Sequence, residues 1–314
     1  MTAAPRIKGV LSPVVTPFRA DLSPDPKRFV AHCKWLLSQN CGLAVFGTNS
    51  EANSQSSEER MALLDALVEA KVDTARMMPG TGCCSITETV KLTAHAVKHG
   101  CAGVLMLPPF YYKGVPEDGL VRHFSEVIER VGDARLRIYL YHIPPVAVVG
   151  ITPGLVEKLM KRYPTAIAGM KDSSGDWDNT KTFLDAFAKQ GFDVFVGSES
   201  FLLAGMRNGG VGTISATANV NPAAIDKLYR EWQGADADAQ QQQLNVVRDA
   251  LSKKYVMISA LKAAVSIYSG DAEWANVRPP LLALTAEQKT QLAGELKAIG
   301  FDMPGLKETY ARAA

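Results

Sequence analysis

The chain has 314 residues, 47% of them hydrophobic, with 34 Lys and Arg against 32 Asp and Glu. These values are typical of a folded globular protein of one or two domains, and a formal net charge of +2 without a Lys/Arg-rich run argues against a nucleic-acid partner. No apolar run reaches the roughly 20 residues of a membrane span, and the polar N-terminus and five cysteines without CxxC spacing indicate a cytoplasmic protein that binds no membrane.

Short apolar runs alternate with segments of helical periodicity along most of the chain. The predicted strands begin near Gly9, Leu43, Arg76, Gly103, Arg137, Ala166, Asp193 and Gly212. Their starts lie about 20–35 residues apart, which is the size of a βα unit, so we predict parallel strands. The fold class is therefore α/β: a (β/α)8 TIM barrel over residues 1–225, followed by a C-terminal helical extension over residues 226–314.

Capping signals mark the starts of several predicted helices. Asp25 precedes a proline at the first helical position. Ser56 with Glu59, and Ser85 with Glu88, have the spacing of a capping box ahead of apolar stripes. We therefore expect helices to begin directly after Asp25, Ser56 and Ser85.

A barrel places its active site at the carboxyl ends of its strands, so the residues after each apolar run are the candidates for chemistry. Lys171 closes the run that begins at Ala166, and desolvation there favours the neutral amine that forms an imine with a carbonyl substrate. Tyr141 ends the preceding predicted strand, where a phenol can move protons at that carbonyl. Position alone leaves open a lysine that reaches water or pairs with Asp172, and a core tyrosine bonded to the backbone.

Several short motifs, in the same order along the chain, resemble one enzyme family. They are GTNSE from Gly47, GTG from Gly80, PFYY from Pro109, YHIP from Tyr141, GMKD from Gly169 and GGVGTISATAN from Gly209. Together they resemble the dihydrodipicolinate synthase / N-acetylneuraminate lyase family over about residues 9–219. That family consists of class I, Schiff-base, pyruvate-type aldolases and lyases, built as a barrel with a C-terminal helical extension and usually assembled as a tetramer.

The resemblance implies a role for each matching residue. Lys171 would form the imine with the C2 carbonyl of a 2-oxo acid such as pyruvate, and Tyr141 would transfer protons. Thr48 would link Tyr141 to Tyr111, which family tetramers offer from the neighbouring subunit. The implied substrate-binding residues are Thr48, Asn49, Gly197, Ser198, Glu199, Ile214 and Ser215. The resemblance implies a homotetramer that uses neither a cofactor nor a metal.

Departures from the family pattern bear on the substrate. Dihydrodipicolinate synthases carry an arginine two residues after the proline of the tyrosine motif, where it binds the carboxylate of the aldehyde substrate, and Val146 stands there in this chain. Asn49 replaces the usual second threonine, and with GMKDS around Lys171 it looks like the 4-hydroxy-2-oxoglutarate aldolases. Ser50 replaces the usual glycine of the loop, which could demand a different backbone angle.

These features predict a Schiff-base lyase that acts on a 2-oxo acid such as 4-hydroxy-2-oxoglutarate or a sugar-derived 2-oxo acid. The alternatives are 4-hydroxy-tetrahydrodipicolinate (dihydrodipicolinate) synthase, a 2-oxo-acid dehydratase with the same lysine imine, and, more remotely, a non-catalytic barrel that binds a 2-oxo acid. A nicotinamide-dependent oxidoreductase is disfavoured, because Ser85 occupies the last glycine position of a GxGxxG fingerprint that would start at Gly80.

Overall fold

The computed structural model describes residues 6–313, which divide into two compact units. The first unit contains the described residues up to Gly9 together with Asp73–Ile214. The second unit contains Val10–Val72 together with the described residues from Ser215 onward. Each unit therefore combines segments that are distant in sequence.

The strands are short, as expected for a barrel of βα units. Within residues 6–313 they are β1 (Gly9–Ser12), β2 (Gly42–Leu43), β3 (Val104–Met106), β4 (Ile138–His142), β5 (Ile167–Asp172), β6 (Asp193–Val196) and β7 (Gly212–Ile214). Every pairing that we describe between them is parallel. Parallel pairing follows from the long helical connections, since a parallel neighbour cannot be reached through a tight hairpin turn.

The helices lie between the strands and after the last one. Among the described residues they are α1 (Pro26–Ser38), α2 (Ser57–Glu69), α3 (Ile86–Lys98), α4 (Glu117–Val131), α5 (Pro144–Ala147), α6 (Pro153–Arg162), α7 (Trp177–Phe187), α8 (Leu202–Arg207), α9 (Pro222–Glu231), α10 (Ala237–Ser252), α11 (Met257–Ser269), α12 (Ala286–Ala298) and α13 (Leu306–Ala313). The C-terminal segment is thus helical, as predicted. Of the helices that the structure describes, none is both long and apolar enough to span a bilayer.

The predicted capping residues begin three of these helices. The Asp25 carboxylate accepts a hydrogen bond from the backbone N–H of Arg28 at the start of α1. Ser56 and Glu59 form a reciprocal capping box at α2, and Ser85 accepts from a backbone N–H in the first turn of α3. Each cap satisfies an N–H group that has no partner within the helix, so the prediction of these starts is confirmed.

The sheet of the first unit has the strand order β7-β6-β5-β4-β3, and β4 and β5 are buried along their whole length. Tyr141 on β4 lies opposite Lys171 on β5, and Lys171 lies opposite Phe195 on β6. A Cβ atom at Gly169 would overlap the carbonyl oxygen of Asp193, so the glycine allows β5 and β6 to approach each other closely. The adjacent strands β5 and β4 therefore carry the candidate lysine and tyrosine side by side.

The predicted third strand, near Arg76, is wrong as a strand. That segment instead makes an isolated parallel bridge between Gly80 and Leu105 of β3. The N–H of Leu105 donates to the Pro79 carbonyl at 2.8 Å, and the N–H of Thr81 donates to the Leu105 carbonyl at 3.0 Å. Pro79 has no N–H group to donate, which limits the ladder at this point.

Candidate active site

Lys171 and Tyr141 form the centre of the candidate site in the first unit. Both side chains are buried, with 3% of each residue exposed. The Lys171 Nζ donates to the Tyr141 Oη at 3.2 Å and lies 4.4 Å from the centroid of the tyrosine ring. An amine and a phenol within hydrogen-bond distance have a geometry suited to imine chemistry.

The next layer below this pair contains both aromatic and charged side chains. Tyr139 precedes Tyr141 by two residues, so the alternation of β4 places it on the same face. Its ring packs edge-on against Phe195, with ring centroids 5.7 Å apart, and its hydroxyl lies 3.4 Å from the carboxylate of Asp193. Arg6 pairs with Asp193 at 3.3 Å, so polar groups of the lower layer are bonded to one another. Aromatic rings and paired charged groups therefore fill the layer next to the lysine on this side.

Asp172 and His142 face away from the Lys171 amine. The Asp172 carboxylate accepts from the hydroxyl of Thr180 at 2.6 Å and from the amide of Asn179 at 3.0 Å, both on α7. The His142 Nδ1 accepts from the N–H of Ile151 at 2.8 Å. Burial lowers the pKa of His142, and the nearby Asp172 carboxylate acts in the opposite direction. These bonds anchor the end of β5 to α7 and the end of β4 to the segment before α6.

The segments that follow β3 and β4 form an exposed apolar patch in the same unit. Tyr111 and Tyr112 are each 72% exposed, and their rings meet edge-on at 5.3 Å. Val146 on α5 is 60% exposed, and Val148 adopts a φ of 63° that a β-branched residue rarely takes. Lys113 donates to the carbonyls of Phe110 and Ala147 and so ties the two segments together. Within one chain Tyr111 thus lies on the surface, whereas the lysine and its tyrosine partner are buried.

The predicted residues after β6 have local structural tasks. A Cβ atom at Gly197 would overlap the carbonyl oxygen of Asp172, to which its N–H donates at 2.6 Å. The Ser198 hydroxyl accepts from a backbone N–H at the start of the following turn, and Glu199 is buried. Ile214, at the end of β7, is also fully buried. Gly197 is therefore explained by the close approach of β5 and β6.

Thr48 and Asn49 lie together in a compact turn of the second unit. The turn is a short 3₁₀ helix, Thr48–Ser50, in which the first two side chains are half-buried and Ser50 is fully buried. The Ser50 hydroxyl accepts from the N–H of Gly47 at 3.1 Å, and its carbonyl accepts from the Thr16 hydroxyl at 2.8 Å. Ser50 thus has a defined role that a glycine could not fill, because its side chain closes the turn on itself.

Ser215 and the segment after it belong to the second unit. Ser215 is fully buried, and the guanidinium of Arg248 lies 3.5 Å from its hydroxyl. Asn219 is also fully buried, and its amide donates to the carbonyls of Pro13 and Ala216 while its oxygen accepts from the N–H of Val15. Asn219 is not recognisable as a structural residue from the sequence, since no local pattern indicates bonds to residues more than 200 positions away.

A sequence profile of the Dihydrodipicolinate synthetase family matches residues 6–299. This chain belongs to that family. The resemblance predicted from the short motifs is therefore confirmed, and with it the assignment to the class I lyases, which form a Schiff base through a lysine.

Individual members show how far the likeness extends. An "Uncharacterized DapA-like lyase" of Chloroflexus aurantiacus is 31% identical over 93% of this chain and 97% of its own length. The crystal structure of dihydrodipicolinate synthase from Agrobacterium tumefaciens is 32% identical, with a TM-score of 0.84 over 93% of this chain and 99% of that one. YagE of E. coli K12, solved in complex with pyruvate, is 27% identical, with the same TM-score over 94% of this chain and 99% of that one. The predicted fold class, a TIM barrel with a C-terminal helical part, is confirmed.

Proposed function

We propose that this protein forms a Schiff base between Lys171 and the C2 carbonyl of a 2-oxo acid and then breaks or makes the C3–C4 bond. The observation that carries the proposal is the buried contact of 3.2 Å between the Lys171 Nζ and the Tyr141 Oη, at the carboxyl ends of adjacent parallel strands. The pyruvate bound in the YagE structure gives the simplest 2-oxo acid as the common part of the substrate.

In the cleavage direction, the neutral amine of Lys171 attacks C2 and gives a carbinolamine. The carbinolamine loses its hydroxyl as water after the Tyr141 phenol supplies a proton, which leaves a protonated imine. The electron pair of the C3–C4 bond then moves into this electron sink as the C4 hydroxyl returns a proton to the tyrosine, and C4 departs as an aldehyde. The Tyr141 phenol then protonates the enamine at C3. The water that attacks the resulting imine returns a proton to the phenolate as pyruvate is released and the neutral amine is regenerated.

The other predicted residues complete this proposal. The Thr48–Asn49 turn would hold the carboxylate of the 2-oxo acid, since half-buried hydroxyl and amide groups suit an anion that must be oriented. Tyr111 would act from a neighbouring subunit of a homotetramer, and its 72% exposure in the single chain supports a contact with another chain. Gly197, Ser198, Glu199, Ile214 and Ser215 would shape the remainder of the pocket.

The substrate class that we propose is a 4-hydroxy-2-oxo acid, either 4-hydroxy-2-oxoglutarate or one derived from a sugar. Val146 in place of the arginine removes the charged group that would bind the carboxylate of an aldehyde in dihydrodipicolinate synthesis. Asn49 beside Thr48 also supports a 4-hydroxy-2-oxo acid, because an asparagine at this position resembles the 4-hydroxy-2-oxoglutarate aldolases. Dihydrodipicolinate synthesis is the second candidate, because the similar structure from Agrobacterium tumefaciens bears that name.

Borohydride trapping followed by intact mass tests the imine. With pyruvate present, the wild-type chain should gain the mass of one reduced pyruvate adduct, and peptide mapping should place it on Lys171. The Lys171→Met variant should gain none. If no 2-oxo acid gives an adduct on the wild-type protein, the proposal is wrong.

A substrate panel then separates the candidate reactions. We expect pyruvate to be released from 4-hydroxy-2-oxoglutarate or from a sugar-derived 2-oxo acid faster than aspartate semialdehyde and pyruvate are condensed. Faster condensation than cleavage would instead assign the protein to dihydrodipicolinate synthesis.

A further inference from the structure

A buried ion pair lies directly behind the Thr48–Asn49 turn. The Lys262 Nζ on α11 donates to the Glu51 Oε1 at 2.7 Å, and neither side chain has any exposed surface. The second carboxylate oxygen of Glu51 accepts from the backbone N–H of Arg278 at 2.8 Å. Glu51 directly follows the turn, and both of its carboxylate oxygens are therefore fixed by groups from the C-terminal part of the chain.

The surroundings of the pair prevent it from moving. The Phe18 ring contacts both cations, with its centroid 4.4 Å from the Lys262 Nζ and 4.6 Å from the Arg278 guanidinium carbon. The Arg278 side chain bonds further to the carbonyls of Leu22 and Ser54 and to both carboxylate oxygens of Glu59. The groups that flank the pair are thus held by a ring and by backbone carbonyls.

Glu51 also controls the backbone of the turn. Its φ of 55° lies in the left-handed region, which residues with a Cβ atom avoid unless their surroundings hold them there. Its N–H donates to the Thr48 carbonyl at 3.1 Å, so the residue that carries the buried carboxylate also closes the turn. A shift of Glu51 would consequently displace Thr48 and Asn49.

Stability does not account for a pair of this kind. Burial lowers the pKa of Lys262 to about 8, although the Glu51 carboxylate acts in the opposite direction. A buried ion pair is commonly no more stabilising than apolar side chains of similar volume, because both charges lose their hydration. What the pair supplies is a fixed direction and distance for Glu51.

We propose that Glu51 and Lys262 are positioning residues that hold the Thr48–Asn49 turn in the form that binds the carboxylate of the 2-oxo acid. This inference rests on the proposed function, since it needs that turn to bind substrate. It assigns to α11, in the C-terminal helical part of the chain, an influence on substrate affinity that acts through Glu51.

The test measures the pyruvate concentration that gives half of the maximal borohydride-trapped adduct on Lys171. In Lys262→Met the Glu51 carboxylate loses its cation, and its movement should displace the turn. The half-saturating pyruvate concentration should therefore rise about tenfold, while the maximal adduct stays near one per chain. Glu51→Gln has the same shape and should shift it in the same direction. The double variant Glu51→Gln/Lys262→Met leaves no unpaired buried charge, and its amide can still accept from the Arg278 N–H, so it should bind pyruvate better than Lys262→Met.

Lys254→Met is the matched control, because it breaks a lysine–glutamate pair in the same unit that is exposed and remote from the turn in sequence. Its half-saturating concentration should equal that of the wild type. If Glu51→Gln and Lys262→Met fold and also bind pyruvate like the wild type, the pair has no positioning role. Thermal unfolding monitors folding, and the isosteric Glu51→Gln decides the question if Lys262→Met does not fold. Absence of any adduct on the wild-type protein would instead overturn the proposed function, and the positioning role with it.

Discussion

The Tyr141→Phe variant removes the proposed proton carrier and keeps the lysine that forms the imine. The substitution removes only the hydroxyl that lies 3.2 Å from the Lys171 Nζ and leaves the ring whose centroid lies 4.4 Å from the same atom. Packing around the lysine should therefore persist, and the lost hydrogen bond should lower the free energy of unfolding by only about 1–2 kcal/mol.

The effect on turnover should be much larger than the effect on stability. A positioned acid–base group contributes about 10²–10⁴-fold to a rate, which corresponds to about 3–5 kcal/mol of activation free energy. Tyr141 is only 3% exposed, so bulk water has poor access to replace its hydroxyl. We expect kcat for release of pyruvate to fall within this range, while borohydride still traps an adduct on Lys171 after long incubation.

Tyr139→Phe is the matched control, since it removes a hydroxyl from the same face of β4 that faces Asp193 rather than the lysine. Its kcat should stay within about threefold of the wild type, because it loses no group used in proton transfer. A Tyr141→Phe variant with wild-type kcat would refute the role of this phenol. Equal losses in the two variants would show that the effect comes from packing.

Acid should weaken the second unit through His32, whose pKa burial lowers to about 3 from an ordinary 6.5. The unfolded chain takes up this proton below pH 6.5 and the folded chain does not, so stability falls as the pH falls, by about 2 kcal/mol between pH 8 and pH 5. Urea unfolding at both pH values should show this loss in the wild type and a smaller loss in His32→Phe. Gly169→Ala should reduce the free energy of unfolding by at least about 2 kcal/mol, since its methyl group would overlap a backbone carbonyl; unchanged urea midpoints would contradict that reading. Val146→Arg should raise kcat/KM for condensation of pyruvate with aspartate semialdehyde, because an exposed guanidinium can pair with the aldehyde's carboxylate. If the ratio of kcat/KM for condensation to kcat/KM for cleavage does not change, Val146 does not set specificity.

The central pair of the candidate site was predictable because it depends on local order. Apolar runs located β4 and β5, and the position of Tyr141 and Lys171 near the ends of those strands was enough to place them side by side. The capped helix starts were equally local, since each depends on residues within one turn. The third strand was predicted wrongly, because its apolar composition outweighed Pro79, which has no N–H to contribute to a ladder.

The support of the Thr48–Asn49 turn was not predictable from local patterns. Glu51 was part of a recognised motif, but its partner Lys262 lies 211 positions further along the chain. A lysine on a mostly apolar helix gives no sign of which carboxylate it meets. The role of Ser50 was not predictable from the sequence either, because its bond to the Gly47 N–H exists only once the turn is closed.

The distance in sequence between Glu51 and Lys262 also has a consequence for synthesis of the protein. When synthesis has reached residue 225, the chain contains every residue proposed to touch the substrate, from Thr48 to Ser215, but α11 has not yet been made. Glu51 therefore has no ion-pair partner until Lys262, in the last quarter of the chain, has been synthesised. A chain that ends before α11 lacks the partner of Glu51 together with the rest of the second unit that follows it. We therefore expect such a chain to bind pyruvate weakly although it contains Lys171.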